Sequence, residues 1–331
     1  MESGVADTLC AITISNVRSN PNKAWHTVLF MFSTDSGCLA MNTLHTFKLT
    51  AGASLLAACA VLTGCGGTND EPAPTTSFVA TAALGAVTGA TCTATEIGSN
   101  RIFTALSATN TDGKVVVSGL PLNAGALLLD CSGGAYFDEA TGLTKNLAAS
   151  DKISTVLPKG ATEVGVTPLT SLVAASVRQA LAAAPAGSTL SNAQINAVAK
   201  SVAGVFAPGV DLLAPPTVVK NAADVAAISS NSAAGKYAAA LAALSQLAKD
   251  QGTDQTQLTA ALVSDMADGV IGDDLASIGI TNYTDLTGSL NSAASTVTPT
   301  VTLPVRVTED QAVVTPPVVT PPTSGGSGTG G

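Results

Sequence analysis

Residues 41–65, MNTLHTFKLTAGASLLAACAVLTGC, constrain the rest of the chain more than any other stretch. Lys48 supplies positive charge, residues 49–61 form an apolar run, small residues follow, and Cys65 closes the segment. A charged start, a short apolar middle and a small-residue cleavage site make up a secretory signal peptide. The apolar run is too short to cross a bilayer comfortably. Residues 41–64 match the leader length of about 15–30 residues, whereas a leader starting at Met1 would be far too long. Translation is therefore expected to begin at Met41. Residues 1–40 then read as a gene-model extension outside the fold, the other reading being a real but unusual extension.

Leu62-Thr63-Gly64-Cys65 resembles the lipobox of bacterial lipoprotein leaders. That resemblance implies cleavage before Cys65 and lipid on its sulfur and new amino group, so that the membrane is a partner reached through this residue. Several acyl chains anchor stably where one does not. In the same terms, Gly66 rather than Asp after the cysteine implies the outer membrane in a cell that has one. Two plainer readings stand beside it: an ordinary secreted protein with an incidental Cys65, and a short buried helix. Residues 65–76, polar and carrying Pro72 and Pro74, read as a tether.

Cleavage changes the chemical inventory. Both histidines, His26 and His45, and the only tryptophan, Trp25, precede Cys65. A chain without histidine has no Ser-His-Asp triad and no Cys-His nucleophile. It also has no His-ligated zinc, and the two cysteines left cannot build a structural zinc site. Neither a Gly-x-Ser-x-Gly elbow nor a Ser-x-x-Lys pair occurs. Gly113-Lys114 and Gly235-Lys236 are followed by Val115 and Tyr237, so neither is a phosphate-binding loop. With 14 Lys+Arg against 23 Asp+Glu, the net charge of −9 offers phosphates no basic field, which excludes a nucleic-acid partner. No cofactor, no metal centre and no enzymatic activity are expected. Carboxylates such as Asp138 or Asp273 are the only catalytic chemistry the inventory leaves.

Of six cysteines, Cys10, Cys38 and Cys59 lie before the cleavage point and Cys65 takes lipid. Cys92 and Cys131 remain, an even pair in an oxidising compartment. Their flanks are strand-like, and a disulfide between two strands is expected. It would close a loop of about 40 residues, worth roughly 3–4 kcal/mol. The other reading is two separate buried thiols.

Residues 77–166 alternate short Val/Thr/Phe/Leu runs with turn signals, a pattern of seven or so strands that predicts a β-sandwich. Thr111-Asp112-Gly113 is one such turn, because Asp-Gly readily takes positive φ. Gly133-Gly134 and Thr141-Gly142 flank another hairpin candidate. Over residues 167–297 the apolar period becomes helical. Thr167 is an N-cap candidate with Pro168 after it, and Ser191/Gln194 and Asp254/Gln257 form capping-box patterns. Further helices are expected over residues 221–230, 236–250 and 283–294, with Asp265 and Asp268-Gly269 at a helix end. Residues 298–331 are rich in Pro, Thr and Gly and are expected to be a disordered tail. The expected fold class is an all-β sandwich domain plus a separate mainly-α helical domain, with disordered termini.

Three stretches together resemble a known family: Thr111-Asp112-Gly113 before a strand, residues 133–142 (GGAYFDEATG), and residues 166–170 (VTPLT) opening the helical region. The chain is similar, over about residues 77–295, to bacterial surface lipoproteins with a carboxypeptidase-regulatory-like (transthyretin-like) β-sandwich. That resemblance implies a fold and a location and carries over no catalytic residue. Asp138, Glu139 and Thr141 read either as residues holding a turn or as weak surface Ca²⁺ ligands, although Ca²⁺ wants six or more oxygens. The expected role is a lipid-anchored envelope protein that binds a surface ligand or another envelope protein through its sandwich. The alternative is an accessory subunit of an envelope assembly that uses its helices as contact surface.

Overall fold

The computed structural model describes residues 73–322 apart from 229–230, 273–274, 277–278, 281–282, 302 and 304–312. Residues 1–40, the leader 41–64, Cys65 and the pair Asp273 and Asp274 lie outside the described residues.

The strands come first: β1 (Thr75–Ala82), β2 (Val87–Thr88), β3 (Thr91–Glu96), β4 (Ile102–Thr104), β5 (Lys114–Pro121), β6 (Leu127–Ser132), β7 (Ala135–Asp138), β8 (Leu143–Asn146), β9 (Lys152–Leu157) and β10 (Glu163–Val166). Among the described residues six α-helices follow: α1 (Pro168–Ala182), α2 (Asn192–Phe206), α3 (Ala222–Ala226), α4 (Ala233–Asp250), α5 (Gln255–Asp265) and α6 (Tyr283–Val297). The strands form three sheets, in the orders β10-β1-β5, β2-β7-β8 and β4-β3-β6-β9. All pairings are antiparallel except β1 with β10, which run parallel. A parallel pair needs a long connection, which here takes the chain through every intervening strand.

Alternation decides which side chains fill the space between the β10-β1-β5 sheet and the four-stranded sheet. Phe78, Ala80 and Ala82 of β1 and Val115 and Val117 of β5 meet Cys92 and Ala94 of β3 and Leu127, Leu129 and Cys131 of β6 in one apolar cluster. The other face of the four-stranded sheet is also covered. Val156 of β9 and Leu128 of β6 join a second cluster with Leu169, Leu172 and Val173 of α1. This two-sided burial explains why β9 is buried from Ile153 to Leu157 instead of alternating.

Helix starts follow local chemistry. Thr167 accepts from the Thr170 amide and Thr170 reaches back to the Thr167 amide at 2.8 Å, a reciprocal cap with Pro168 in the first turn. Ser191 with Gln194 and Asp254 with Gln257 cap α2 and α5 in the same way. At the end of α5 a short 3-10 turn runs to Gly269, whose φ of 93° stops it. The packing centre of the helices is α4, which buries every residue from Tyr237 to Ala248. Alanine makes this cheap, since it lets neighbouring helices approach closely and loses no side-chain entropy. Among the described residues, no helix is long and apolar enough to cross a membrane.

Three expectations need correction. A separate helical domain is expected after residue 166, but strands and helices lie in one compact unit and share an apolar cluster. The change of period at Thr167 is thus a change of local structure and not a break in packing: α1 lies directly on β9. The helix expected over residues 221–230 shrinks to the five residues of α3, which buries none of them and so gains little by extending. The third concerns the tail. Thr320 and Thr189 exchange backbone hydrogen bonds of 2.8 and 2.9 Å, the Val314 amide donates to the Gly269 carbonyl at 2.8 Å, and Val314 is buried. The described part of the tail docks because Val314 buries while the amides of Val314 and Thr320 find carbonyls on the body.

Candidate functional site

The hairpin of β7 and β8 carries the acidic stretch singled out in the sequence. Along β7 the side chains alternate, so Tyr136 and Asp138 point inward together. Asp138 accepts hydrogen bonds from the Thr141 amide at 2.8 Å and the Thr141 hydroxyl at 2.7 Å, and pairs with Lys145 Nζ at 2.8 Å. Burial opposes its ionisation, but Lys145 and Thr141 outweigh burial and hold the Asp138 carboxyl below its ordinary value. The three residues close the turn between the two strands.

Glu139 faces a different neighbourhood. Its Oε1 accepts from the Gly85 amide at 3.0 Å, while among the described residues its Oε2 has no hydrogen-bond partner. The next residue ties the turn to α4: the Ala140 amide donates to Ser245 Oγ at 3.1 Å and Lys249 Nζ donates to the Ala140 carbonyl at 2.9 Å. Glu139 thus sits buried where the hairpin, the turn after β1 and α4 converge. Burial pushes its carboxyl up to about 8, with Asp138 adding to the rise and the Gly85 amide opposing it. At neutral pH Glu139 is mainly a neutral acid and Asp138, one residue away, a carboxylate.

Gly85 makes this junction sterically obligatory. Its φ is +54°, and a Cβ there would lie 2.3 Å from the Phe137 carbonyl oxygen and 2.8 Å from that of Val219. All of these contacts are backbone, which cannot step aside cheaply. Gly85→Ala is expected to destabilise the fold by about 2–4 kcal/mol, the sum of backbone strain and overpacking, read as a lower midpoint in a urea melt. An unchanged midpoint would show that the junction is loose.

Cys92 and Cys131 are directly opposed on β3 and β6 and joined by a disulfide with Cα atoms 4.1 Å apart. Both are fully buried between the sheets. Other polar groups were not foreseen, because they depend on pairings distant in sequence. Asp130 on β6 accepts from Ser154 of β9 at 2.6 Å and pairs with Arg178 of α1, pinning the helix to the sheet. Thr167 Oγ1 lies 3.0 Å from the Tyr237 hydroxyl, which donates to the Leu212 carbonyl at 2.8 Å. Burial raises the Tyr237 pKa and keeps it a neutral donor. Glu96 is held down at about 2, chiefly by Arg101, whose side chain lies 2.7 Å away. The charged members of these arrangements, Asp130 with Arg178 and Glu96 with Arg101, each have a counter-charge.

An open groove of about 440 Å³ runs over β1 and β5, with Lys114 and Glu163 on its walls. It brings together no buried acid and nucleophile. Comparison of the chain with protein-family models, curated proteins and solved structures finds no match.

Proposed function

We propose that this chain is a lipid-anchored protein of the cell envelope, held through acylated Cys65, with a non-catalytic binding or adhesion role. The observation that carries this reading is the leader at residues 41–64, ending in Leu62-Thr63-Gly64-Cys65 and followed by a polar, proline-bearing tether. In a cell with two membranes, Gly66 after the cysteine favours the outer one. The buried Cys92–Cys131 disulfide supports an oxidising compartment, where such bonds persist. The β10-β1-β5 sheet and the four-stranded sheet sharing one apolar cluster support a transthyretin-like sandwich as the binding module. The polar groups described above stabilise turns and seams and favour binding over catalysis. An accessory-subunit role through the helices has less support, because α4 spends its apolar surface inside the molecule.

Cys65→Ser is expected to abolish palmitate labelling and to move the protein from the membrane to the soluble fraction. Unchanged fractionation in that variant would contradict the anchor.

A further inference from the structure

The chain enters the fold at Thr75, and several loops gather at that end. Thr75 pairs with Pro121, so the loop from β5 to β6 begins beside it. The turn from β3 to β4 is tied to this loop: the Gly125 amide donates to Glu96 Oε1 at 2.6 Å and the Ile97 amide to the Ala126 carbonyl at 2.9 Å. The loop from β9 to β10 follows Leu157, the partner of Leu127. Its Lys159 amide donates to Asn192 Oδ1 at 2.9 Å, and Gln194, in the same helical turn, donates to the Val318 carbonyl.

That end presents apolar and basic side chains to solvent together. Ile102, Leu122 and Val318 stand there 68%, 66% and 81% exposed. Lys159 is exposed, and so is Arg101, whose guanidinium covers the paired Glu96. The opposite end of β1 leads to Gly85 and the acidic hairpin, about 25 Å away for a strand of this length. Residues 66–72 separate Cys65 from the first described residue, and a chain of that length reaches about 30 Å at most.

We propose that this end of the molecule, built from the loops around Leu122, Ile102 and Val318, rests on the lipid surface to which Cys65 is attached. The inference deepens the anchored reading and rests on it. A short tether holds this end at a high effective concentration near the bilayer. Leucine, isoleucine and valine side chains then enter the headgroup boundary, while Arg101 and Lys159 meet anionic headgroups. The acidic hairpin at Asp138 and Glu139 points away from the membrane. Ligand-binding surfaces are thereby confined to the far end and the flanks of the sheets.

Residues 65–331 contain no tryptophan, so one introduced tryptophan is a unique reporter. The test uses the mature, full-length protein extracted from membranes and reconstituted in phosphatidylethanolamine–phosphatidylglycerol vesicles, with and without brominated acyl chains. All substituted positions are exposed, so the fold tolerates them. L122W and I102W are expected to lose at least half their fluorescence in brominated vesicles, whereas L106W and L143W lose almost none. Flotation of the vesicles and the mass of the Cys65 peptide are measured on the same preparations. Flotation with acylated Cys65 but no quenching of L122W or I102W overturns the proposal and leaves the anchor standing. Failure to float with an unmodified Cys65 overturns both. A blue shift of L122W that grows with protein concentration without bromolipid quenching places a second copy on this end, and also overturns the proposal.

Discussion

Glu139→Gln is expected to stabilise the protein at pH 8 by about 3–5 kcal/mol and to leave its stability at pH 4 little changed. In the folded chain burial raises the Glu139 carboxyl from 4.5 to about 8, while in the unfolded chain it titrates near its ordinary value. Between those values the folded state holds a proton that the unfolded state has released. Stability is therefore fully present below about pH 4.5, falls by about 1.4 kcal/mol per pH unit as pH rises, and stops falling above about 8. Gln keeps the oxygen that accepts from Gly85 and removes the ionisation. The window is unusually clean, because residues 65–331 contain no histidine, the side chain that ordinarily titrates there. Urea melts of parent and variant at pH 5, 6.5 and 8 check this. The parent midpoint should drop with pH and the variant midpoint should stay level. Parallel behaviour of the two proteins would mean that Glu139 is solvated.

The second large effect concerns the disulfide. Replacing both Cys92 and Cys131 by Ala is expected to lower stability by roughly 3–4 kcal/mol. The bond closes 39 residues of sequence and restricts the unfolded chain. Both positions are fully buried between the sheets, so the lost sulfur also leaves a small cavity. Alanine is preferable to serine here, since a serine hydroxyl would be stranded in the apolar cluster. A domain of this kind has about 5–15 kcal/mol to lose, so the variant should still fold but melt at lower temperature. Equal melting temperatures for parent and double variant would mean that the β3–β6 ladder restrains the chain without the bond.

Features set by neighbouring residues were legible from the sequence. Thr167, Ser191 and Asp254 each sit three residues before the partner that completes their cap, so a short window holds all the information. The Cys92–Cys131 bond was legible because both cysteines sit in strand-like runs and are the pair left on the expected cleavage and acylation at Cys65. Strand order was not: β1 borders β10, more than eighty residues away, and no local pattern encodes that choice. The acidic hairpin divides along the same line. The turn that Asp138 and Thr141 hold was legible locally, but the two acids are buried where surface positions were expected, because Asp138 points inward on β7 and Glu139 meets α4, whose Ser245 and Lys249 reach Ala140 from beyond a hundred residues. The docking of Val314 on Gly269 and of Thr320 on Thr189 is something composition cannot see. Joining of strands and helices into one unit likewise depends on the outer face of β6 and β9, where Leu128 and Val156 read as ordinary strand residues.

The most direct test of the anchored reading is the intact mass of the protein extracted from membranes. The expected mass is that of a chain beginning at Cys65 and carrying acyl groups, with one disulfide and nothing from residues 1–64. A mass that retains residues 41–64, or a chain beginning at Cys65 without added lipid, would contradict it.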